Sequence, residues 1–263
     1  MGAVRGRAKP PVGTVPAGPV PGGGPSAARA RRALAVIACL AALAVVLAGA
    51  WLGWPWYATA AGALLLGAYA ALELYEAYAS DPKSIAFVAT LAALASVGRA
   101  AMQGIPGVQP ATFLILASGF SLGPVTGAAV GAFTAIGSNV FLGEGGWTPW
   151  QMAAWGMAGA SAGWLRRLWP RLTWRALIPF GFAWGYLFGW VMNTWSLLGG
   201  GRPTWTAYLA LCAASIWFDT LHALANAAFA AAAGRPTLSV LERFRRRLPQ
   251  PASPYTSSMG EER

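Results

Sequence analysis

The sequence predicts an all-α fold, a polytopic membrane bundle of eight crossing helices. Hydrophobic residues make up 56% of the 263 positions and charged residues only 10%, whereas soluble domains have about 25% charged residues. The apolar residues are gathered in eight runs, and none of them alternates polar and apolar positions as a strand does. We therefore expect an integral membrane protein whose helices lie in the lipid bilayer.

The basic residues predict the orientation of this bundle. Seventeen of the nineteen Lys and Arg residues lie in the tails and loops of one side, and Arg202 alone lies in a loop of the other. Cytoplasmic loops carry the excess of Lys and Arg. We therefore predict a multi-pass protein of the cell membrane with both termini in the cytoplasm. This placement accounts for the net charge of +11 without a nucleic-acid partner.

The first 80 residues precede the main bundle. Residues 1–32 are rich in Pro, Gly and Ala, and such a segment buries too little apolar surface to fold, so we predict a disordered basic cytoplasmic arm. Residues 33–80 are predicted to form an extra transmembrane hairpin. Its first run, 33–53, approaches the roughly 20 residues of a full span, and a tryptophan-rich turn at Pro55 is typical of a membrane interface.

The predicted core comprises residues 81–234 and contains the other six apolar runs. They cover residues 84–103, 109–122, 123–142, 150–165, 176–198 and 207–232. The second and fourth of these are short, which indicates tilted or buried helices. Residues 235–263 are predicted to form a basic cytoplasmic tail. Cys39 and Cys212 lie inside apolar runs and are expected as buried thiols rather than as a disulfide.

Small residues recur at a spacing that favours helix packing. Two glycine series have a period of four, namely Gly123, Gly127 and Gly131, then Gly181, Gly185 and Gly189. Such series let helix backbones approach closely within a membrane, so we expect both to pack the bundle. Ala89 and Ala93 form a similar pair, which serves either the bundle or a partner subunit.

Polar and aromatic residues concentrate at the predicted extracytoplasmic face, chiefly between 139 and 155. We predict that they form a substrate pocket with residues near the ends of two other helices. The predicted pocket residues are Arg99, Gln103, Asn139, Trp147, Trp150, Gln151, Trp155, Asn193 and Trp195. The alternative is an interfacial belt of tryptophans, with Arg99 extending to the interface. Amides beside the aromatic rings favour the pocket, because a belt does not require them.

Three polar residues of the last apolar run share one helix stripe. They are Asp219, His222 and Asn226, and we expect them to form a fully hydrogen-bonded internal network. A lone histidine does not make a closed transition-metal site, so no metal and no cofactor are expected. Ser161 lies in a G-x-S-x-G pattern, which with His222 leaves an intramembrane serine hydrolase as an alternative. Because Ser161 lacks the strand–turn–helix setting of a nucleophile elbow, we predict no enzyme activity.

Five motifs in order resemble those of a known family. They are Gly98-Arg99, Gln109–Phe113, Leu122–Pro124 with Gly127 and Gly131, Gly146–Met152, and the helix from Asp219 to Asn226. Over residues 84–234 their order resembles that of the membrane-embedded substrate-binding (S) component of energy-coupling factor (ECF) vitamin transporters. The resemblance implies a six-helix core that binds a vitamin or related micronutrient from outside the cell. The hairpin at 33–80 and the basic arm depart from the usual pattern of the family.

The resemblance also implies partners. In this family the S component docks on a transmembrane coupling (T) subunit that is carried by two cytoplasmic ATPase subunits, as in an ABC importer. Ala89 and Ala93 match the alanine stripe that meets the coupling subunit. The sequence has no G-x-x-x-x-G-K-[ST] motif, so the chain has no P-loop nucleotide site of its own.

The substrate and the mode of transport have alternatives. The run Trp147–Met152 resembles that of S components assigned to cobalamin, so the resemblance implies cobalamin or a related compound, with riboflavin or another flat vitamin as the runner-up. The alternative function is a self-sufficient secondary carrier. An inverted repeat with broken helices would favour that carrier, and the sequence does not display one.

Overall fold

Helices account for nearly all of the chain that the structure describes. The structure is a computed structural model that describes residues 25–52, 82–199 and 204–247, with single residues between 54 and 73. Its elements are α1 (Pro25–Leu52), α2 (Pro82–Ala101), α3 (Ala111–Leu122), α4 (Pro124–Leu142), α5 (Thr148–Leu168), a 3-10 turn (Trp174–Ala176), α6 (Leu177–Gly199) and α7 (Trp205–Arg245). No strand occurs in these ranges. The all-α prediction is confirmed for them.

Three of these helices are long and apolar enough to cross a membrane. They span Lys83–Ala101, Pro124–Leu142 and Trp205–Arg245, and α3 is a shorter apolar helix. Length and composition thus agree with a membrane protein. The other predicted crossings stay predictions.

The helices α2 to α7 run up and down the bundle, so their connections lie at two ends. One end, here called the loop end, carries residues 102–110 and 143–147. The opposite end, here called the arginine end, carries the segment 166–175 and the last turn of α7. Contacts at the arginine end include the stacked rings of Phe87 and Phe244, with centroids 5.0 Å apart.

Glycines bring the helix backbones into direct contact. A Cβ atom on Gly127 would lie 2.5 Å from both the Gly159 carbonyl oxygen and the Gly119 Cα, which no side chain tolerates. Along α6, Gly185 packs in the same way on Ala223 of α7. Both predicted glycine series therefore pack the bundle, and the α3–α4–α5 and α6–α7 crossings are fixed by backbone contact.

Local sequence explains why α4 and α5 meet at the loop end. Gly143 ends α4 with a φ of 101°, and its N–H donates to the Asn139 carbonyl at 2.8 Å. This left-handed conformation favours glycine. After four further residues α5 begins, with Pro149 in its first turn. Proline is tolerated there because an N–H in the first turn of a helix has no partner within the helix. The end of α4 and the start of α5 are thus held side by side.

Two predicted boundaries differ from the structure. Residues 25–32, expected in the disordered arm, form the start of α1. Residues 235–245, expected in the tail, continue α7 through Pro236. This part of α7 is held by the core, because Leu238 and Leu241 are buried at a spacing of one helical turn.

Other predictions fall partly outside the described residues. Residues 1–24 of the arm, most of the second half of the hairpin and residues 248–263 of the tail lie there. Glu73 of the predicted hairpin forms an ion pair at 3.1 Å with Arg31, which lies in α1 just ahead of the hairpin. Cys212 of α7 is a half-buried free thiol.

Candidate functional site

A hydrogen-bonded network joins three helices at the loop end. Arg99 Nη1 on α2 donates to Ser138 Oγ at 2.5 Å and to Asn139 Oδ1 at 2.7 Å, both on α4. Asn139 Nδ2 in turn donates to Thr148 Oγ1 at 2.7 Å and to Gln151 Oε1 at 2.8 Å on α5. Asn139 is 1% exposed and both ends of its amide are bonded. It is therefore the centre of the network.

The network ends in a carboxylate at the surface. Thr148 Oγ1 donates to Glu144 Oε2 at 2.7 Å, and Glu144 lies in the exposed loop between α4 and α5. Two neutral side chains, Thr148 and Asn139, stand between this carboxylate and Arg99. Glu144 and Arg99 therefore belong to the same network but do not form an ion pair.

Trp155 of α5 forms an aromatic wall beside the guanidinium. Arg99 Cζ lies 4.9 Å from its ring centroid, a cation–π geometry. The Trp155 side chain is fully buried, and its ring centroid is 4.7 Å from that of Phe188 on α6. Its Nε1 donates to Thr112 Oγ1 at 2.9 Å. The indole is thus fixed at both its polar and its apolar edges.

Thr112 extends these contacts to α7. Its Oγ1 lies 2.9 Å from His222 Nε2, and the His222 ring meets Phe188 edge-on with centroids 5.4 Å apart. Through these contacts α2, α3, α4, α5, α6 and α7 all contribute to one connected set of side chains. The predicted association of Arg99, Asn139, Gln151 and Trp155 is therefore present.

Asn193 belongs to a separate cluster between α6 and α7. Its Nδ2 donates to Ser215 Oγ at 2.8 Å, and Ser215 Oγ donates to Asp219 Oδ2 at 2.8 Å. No hydrogen bond described in the structure joins this cluster to Arg99. The sequence placed Asn193 in the same pocket as Arg99 because both residues lie toward the same end of their helices. It did not show that they belong to two separate clusters.

The remaining predicted pocket residues also lie toward the loop end. Trp150 and Trp195 face each other with centroids 6.5 Å apart and an interplanar angle of 41°. Trp147 is 39% exposed and its ring covers Gly145. Gln103 is exposed in the turn after α2, where it makes no hydrogen bond with the described residues of the network.

Three network members were missing from the predicted pocket. Ser138 and Thr112 accept hydrogen bonds from Arg99 and Trp155, and Thr148 bridges Asn139 to Glu144. Hydroxyl side chains in apolar helices often bond only to their own backbone. Here the partners of these hydroxyls lie on neighbouring helices or loops, which the sequence does not show. The sequence offered one hint: each hydroxyl lies in or beside a segment already singled out, Ser138 next to Asn139, Thr112 within 109–113 and Thr148 near Gln151.

The expectation of a fully satisfied stripe on α7 is wrong. Asp219 Oδ1, His222 Nδ1 and Asn226 Oδ1 are enclosed and have no hydrogen-bond partner among the described residues. The physical reason is the glycine face of α6: Gly189 packs directly on the Asp219 carboxylate and Gly181 on Asn226. Because glycine has no side-chain donor, these contacts leave the Asp219 and Asn226 oxygens without a hydrogen-bond partner.

The serine and histidine of the hydrolase alternative lie apart. Ser161 Oγ donates to the Ala158 carbonyl at 2.9 Å, and Ser161 lies in the part of α5 near the arginine end. His222 instead bonds Thr112 at the start of α3. The described residues also contain no group of three or more His, Cys, Asp and Glu side chains that would hold a metal ion.

An apolar groove lies on α2 and α4, away from the polar network. Its volume is about 520 Å³, and its floor is built from small residues, including Ala89, Ala92, Ala93, Ser96 and Gly137. Ala89 and Ala93 are exposed. The predicted small-residue pair is thus accessible in a groove rather than enclosed in the bundle.

Comparison of the chain with protein-family models, with curated proteins and with solved structures finds no match. The function is therefore inferred from the residues and geometry of this chain.

Proposed function

We propose that the protein is the substrate-capture subunit of an ECF-type importer, which binds a vitamin or related micronutrient at the loop end. The observation that carries this proposal is the meeting of Arg99, Asn139, Gln151 and Trp155. These residues come from three helices and are distant in sequence, yet they are joined by hydrogen bonds and a ring contact. Convergent polar groups beside aromatic rings are typical of small-molecule sites.

The loop end faces outward in this proposal. The arginine end carries Arg166 and Arg167 in the last turn of α5, Arg171 and Arg175 ahead of α6, and the arginines 245–247 at the end of α7. Cytoplasmic loops carry such an excess of basic residues. The polar network then lies on the side from which a nutrient arrives, and both termini lie in the cytoplasm.

The groove on α2 is the proposed contact for the coupling subunit. Exposed Ala89 and Ala93 present no long side chain, so the backbone of a partner helix can approach closely. The partner would be the transmembrane T subunit with its two cytoplasmic ATPases. Their energy is required because the chain has no P-loop motif.

The proposed substrate is a bulky or planar vitamin, with a cobalamin-like compound first and a flat vitamin such as riboflavin second. The paired rings of Trp150 and Trp195 at the mouth support this, since they offer faces on which a planar group can stack. The amides of Asn139 and Gln151 would fix its orientation.

A secondary carrier remains the second candidate because of one observation. Asp219 is a buried carboxylate with an unpartnered oxygen, in a helix apolar enough to cross a membrane. Carboxylates at such depth are used by proton-coupled carriers. The substrate-capture proposal assigns Asp219 no transport step, so the two candidates differ on this residue.

Co-purification tests the proposed assembly. A tagged chain, produced in its native host and extracted in mild detergent, is expected to bring down a transmembrane coupling subunit and two ATPases. Ala89→Leu should remove them, because a bulky side chain keeps the helices apart. Ala86→Leu, on the same helix but outside the groove, is the matched control. Recovery of the chain alone in every preparation would contradict the assembly.

A further inference from the structure

Arg99 has no carboxylate partner in the part of the chain that the structure describes. Its Nη1 bonds two neutral groups, Ser138 and Asn139, and its charge faces the Trp155 ring. The ion pair found among the described residues is elsewhere, between Arg31 and Glu73. Arg99 lies half-buried in α2, a helix apolar enough to cross a membrane. Arg99 is in the last turn of this helix, and a half-buried guanidinium in a membrane helix usually pairs with an acid or lines a cavity.

The guanidinium keeps donors for a further partner. Both hydrogens of Nη1 are used, whereas Nε and Nη2 donate no hydrogen bond within the described residues. Neither nitrogen is among the enclosed polar atoms that lack a partner, so each keeps some accessible surface. This edge of an arginine matches the two oxygens of a carboxylate or phosphate.

Two helix N-termini add positive potential beside Arg99. The start of α3 is next to it, because Pro110 packs on Gly98. The start of α5 is linked to it through Thr148 and Asn139. Neither helix has an N-cap side chain bonded to its first turn. Each N-terminus carries roughly half a positive charge and favours an anion.

Glu144 bonds Thr148 at the first residue of α5 and so offsets part of the potential of that helix N-terminus, but neither nearby acid pairs with Arg99. Glu144 is exposed and bonds Thr148 rather than Arg99, and Asp219 belongs to the separate cluster with Ser215. His222 contacts the set through Thr112 and Phe188 and supplies no carboxylate. The positive charge of Arg99 is thus left for a group from outside these residues.

We infer that the ligand of this site carries an anionic group, a carboxylate or a phosphate, that binds Nε and Nη2 of Arg99 beside the Trp155 ring. This inference rests on the proposed function and names the chemical class of its substrate. Among the proposed vitamins it favours those with a phosphate, such as the phosphodiester of cobalamin, over riboflavin itself. An anionic lipid headgroup has the same chemistry, so the experiment must separate a soluble ligand from a lipid.

The test compares matched anionic and neutral compounds. The purified full-length protein is placed in nanodiscs of phosphatidylcholine, and affinities are measured for cobinamide phosphate and cobinamide, riboflavin 5′-phosphate and riboflavin, and nicotinate and nicotinamide. At least one anionic member should bind about tenfold or more tightly than its neutral partner, the difference expected of a charge-assisted pair. That preference should vanish in Arg99→Gln and persist in part in Arg99→Lys.

Controls make the outcome decisive. Arg171→Gln removes an exposed arginine at the opposite end and should leave the preference unchanged. Arg99→Lys also reports on site chemistry if Arg99→Gln does not yield monodisperse protein. Equal affinity for the neutral compounds, a preference that survives in Arg99→Gln, or no binding by any anionic member would overturn the inference.

A second experiment, with anionic lipid in the nanodiscs, tests whether the bound anion is a lipid headgroup. Nanodiscs with added phosphatidylglycerol should not raise the melting temperature of wild type relative to Arg99→Gln. If they do, and no soluble anion competes, the group is a lipid headgroup and the inference about a captured ligand fails. Co-purification with the coupling subunit is measured separately. A chain that assembles normally yet binds only neutral compounds would therefore refute this inference alone.

Discussion

Arg99 Cζ lies 4.9 Å from the ring centroid of Trp155, and this contact joins α2 to α5 at the loop end. The indole cannot move away, because Thr112 holds its N–H and Phe188 packs on its ring. The guanidinium is fixed by Ser138 and Asn139. A cation and an aromatic face are thus preorganised side by side, which lowers the cost of ordering a site when a ligand binds.

Trp155→Phe tests the polar anchor of this ring. The variant keeps an aromatic side chain but removes the N–H that Thr112 accepts, so it should lose about 1–3 kcal/mol of stability from an unmet hydrogen bond in a buried site. Ligand affinity should fall as the ring loosens. Thermal unfolding and equilibrium binding are the measurements. Trp217→Phe, at a side chain that is 73% exposed, is the control, and equal losses in both variants would contradict the anchoring role.

The apolar runs allowed most of the helix positions to be predicted, since helices α2 to α6 begin and end within a few residues of the predicted crossings. Burial of Leu238 and Leu241 prolongs α7 beyond the last apolar run. Residues 235–245 combine four charged residues and a proline with only four large apolar ones, so the extension was not predictable from hydropathy. Tertiary packing of two leucines overrides a local proline and a run of arginines.

The sequence predicted many of the residues of the candidate site, but it did not predict which of them contact one another. Arg99 and Asn139 attract notice because charged and amide groups are rare in apolar helices. Which of them meet depends on helix crossings set by backbone contacts such as Gly127 on Gly159. Asn193 carries the same sequence signal but faces Ser215. Three-dimensional packing, not residue type, separates the two clusters.

Gly127→Ala tests the crossing that holds α4 against α5. Its added methyl group would meet backbone atoms of Gly119 and Gly159 at 2.5 Å, and such overpacking costs about 1–3 kcal/mol or more. The same substitution at Gly104 meets no atom within 4 Å and serves as the matched control. Detergent-solubilised protein should melt at a lower temperature only for Gly127→Ala. Matching melting curves would show that the close approach is not required.

Ala89→Leu separates capture from delivery. The residue lies in the groove on α2 and touches none of the polar network, so ligand affinity of the purified protein should remain at the wild-type level. Uptake by cells should be lost, because the coupling subunit cannot seat against α2. Ala86→Leu should retain both activities. Normal uptake by Ala89→Leu would remove this groove from the proposed docking surface.

Asp219→Asn distinguishes the two candidate functions. The change preserves the shape of a side chain that packs on Gly189 but removes its ability to carry and release a proton. A substrate-capture subunit should keep both binding and ATP-dependent uptake. A proton-coupled carrier should lose its response to an imposed pH gradient. Uptake is compared at equal protein levels with and without the gradient.

Uptake in cells that lack the ATPases of the importer tests the central claim most directly. Cells producing this chain are given the radiolabelled ligand identified by the binding panel, with the ATPase genes present or deleted. We predict that the ligand still binds the chain in both strains but accumulates only where the ATPases are present. Equal accumulation in both strains would contradict the claim and show that the chain transports its substrate alone.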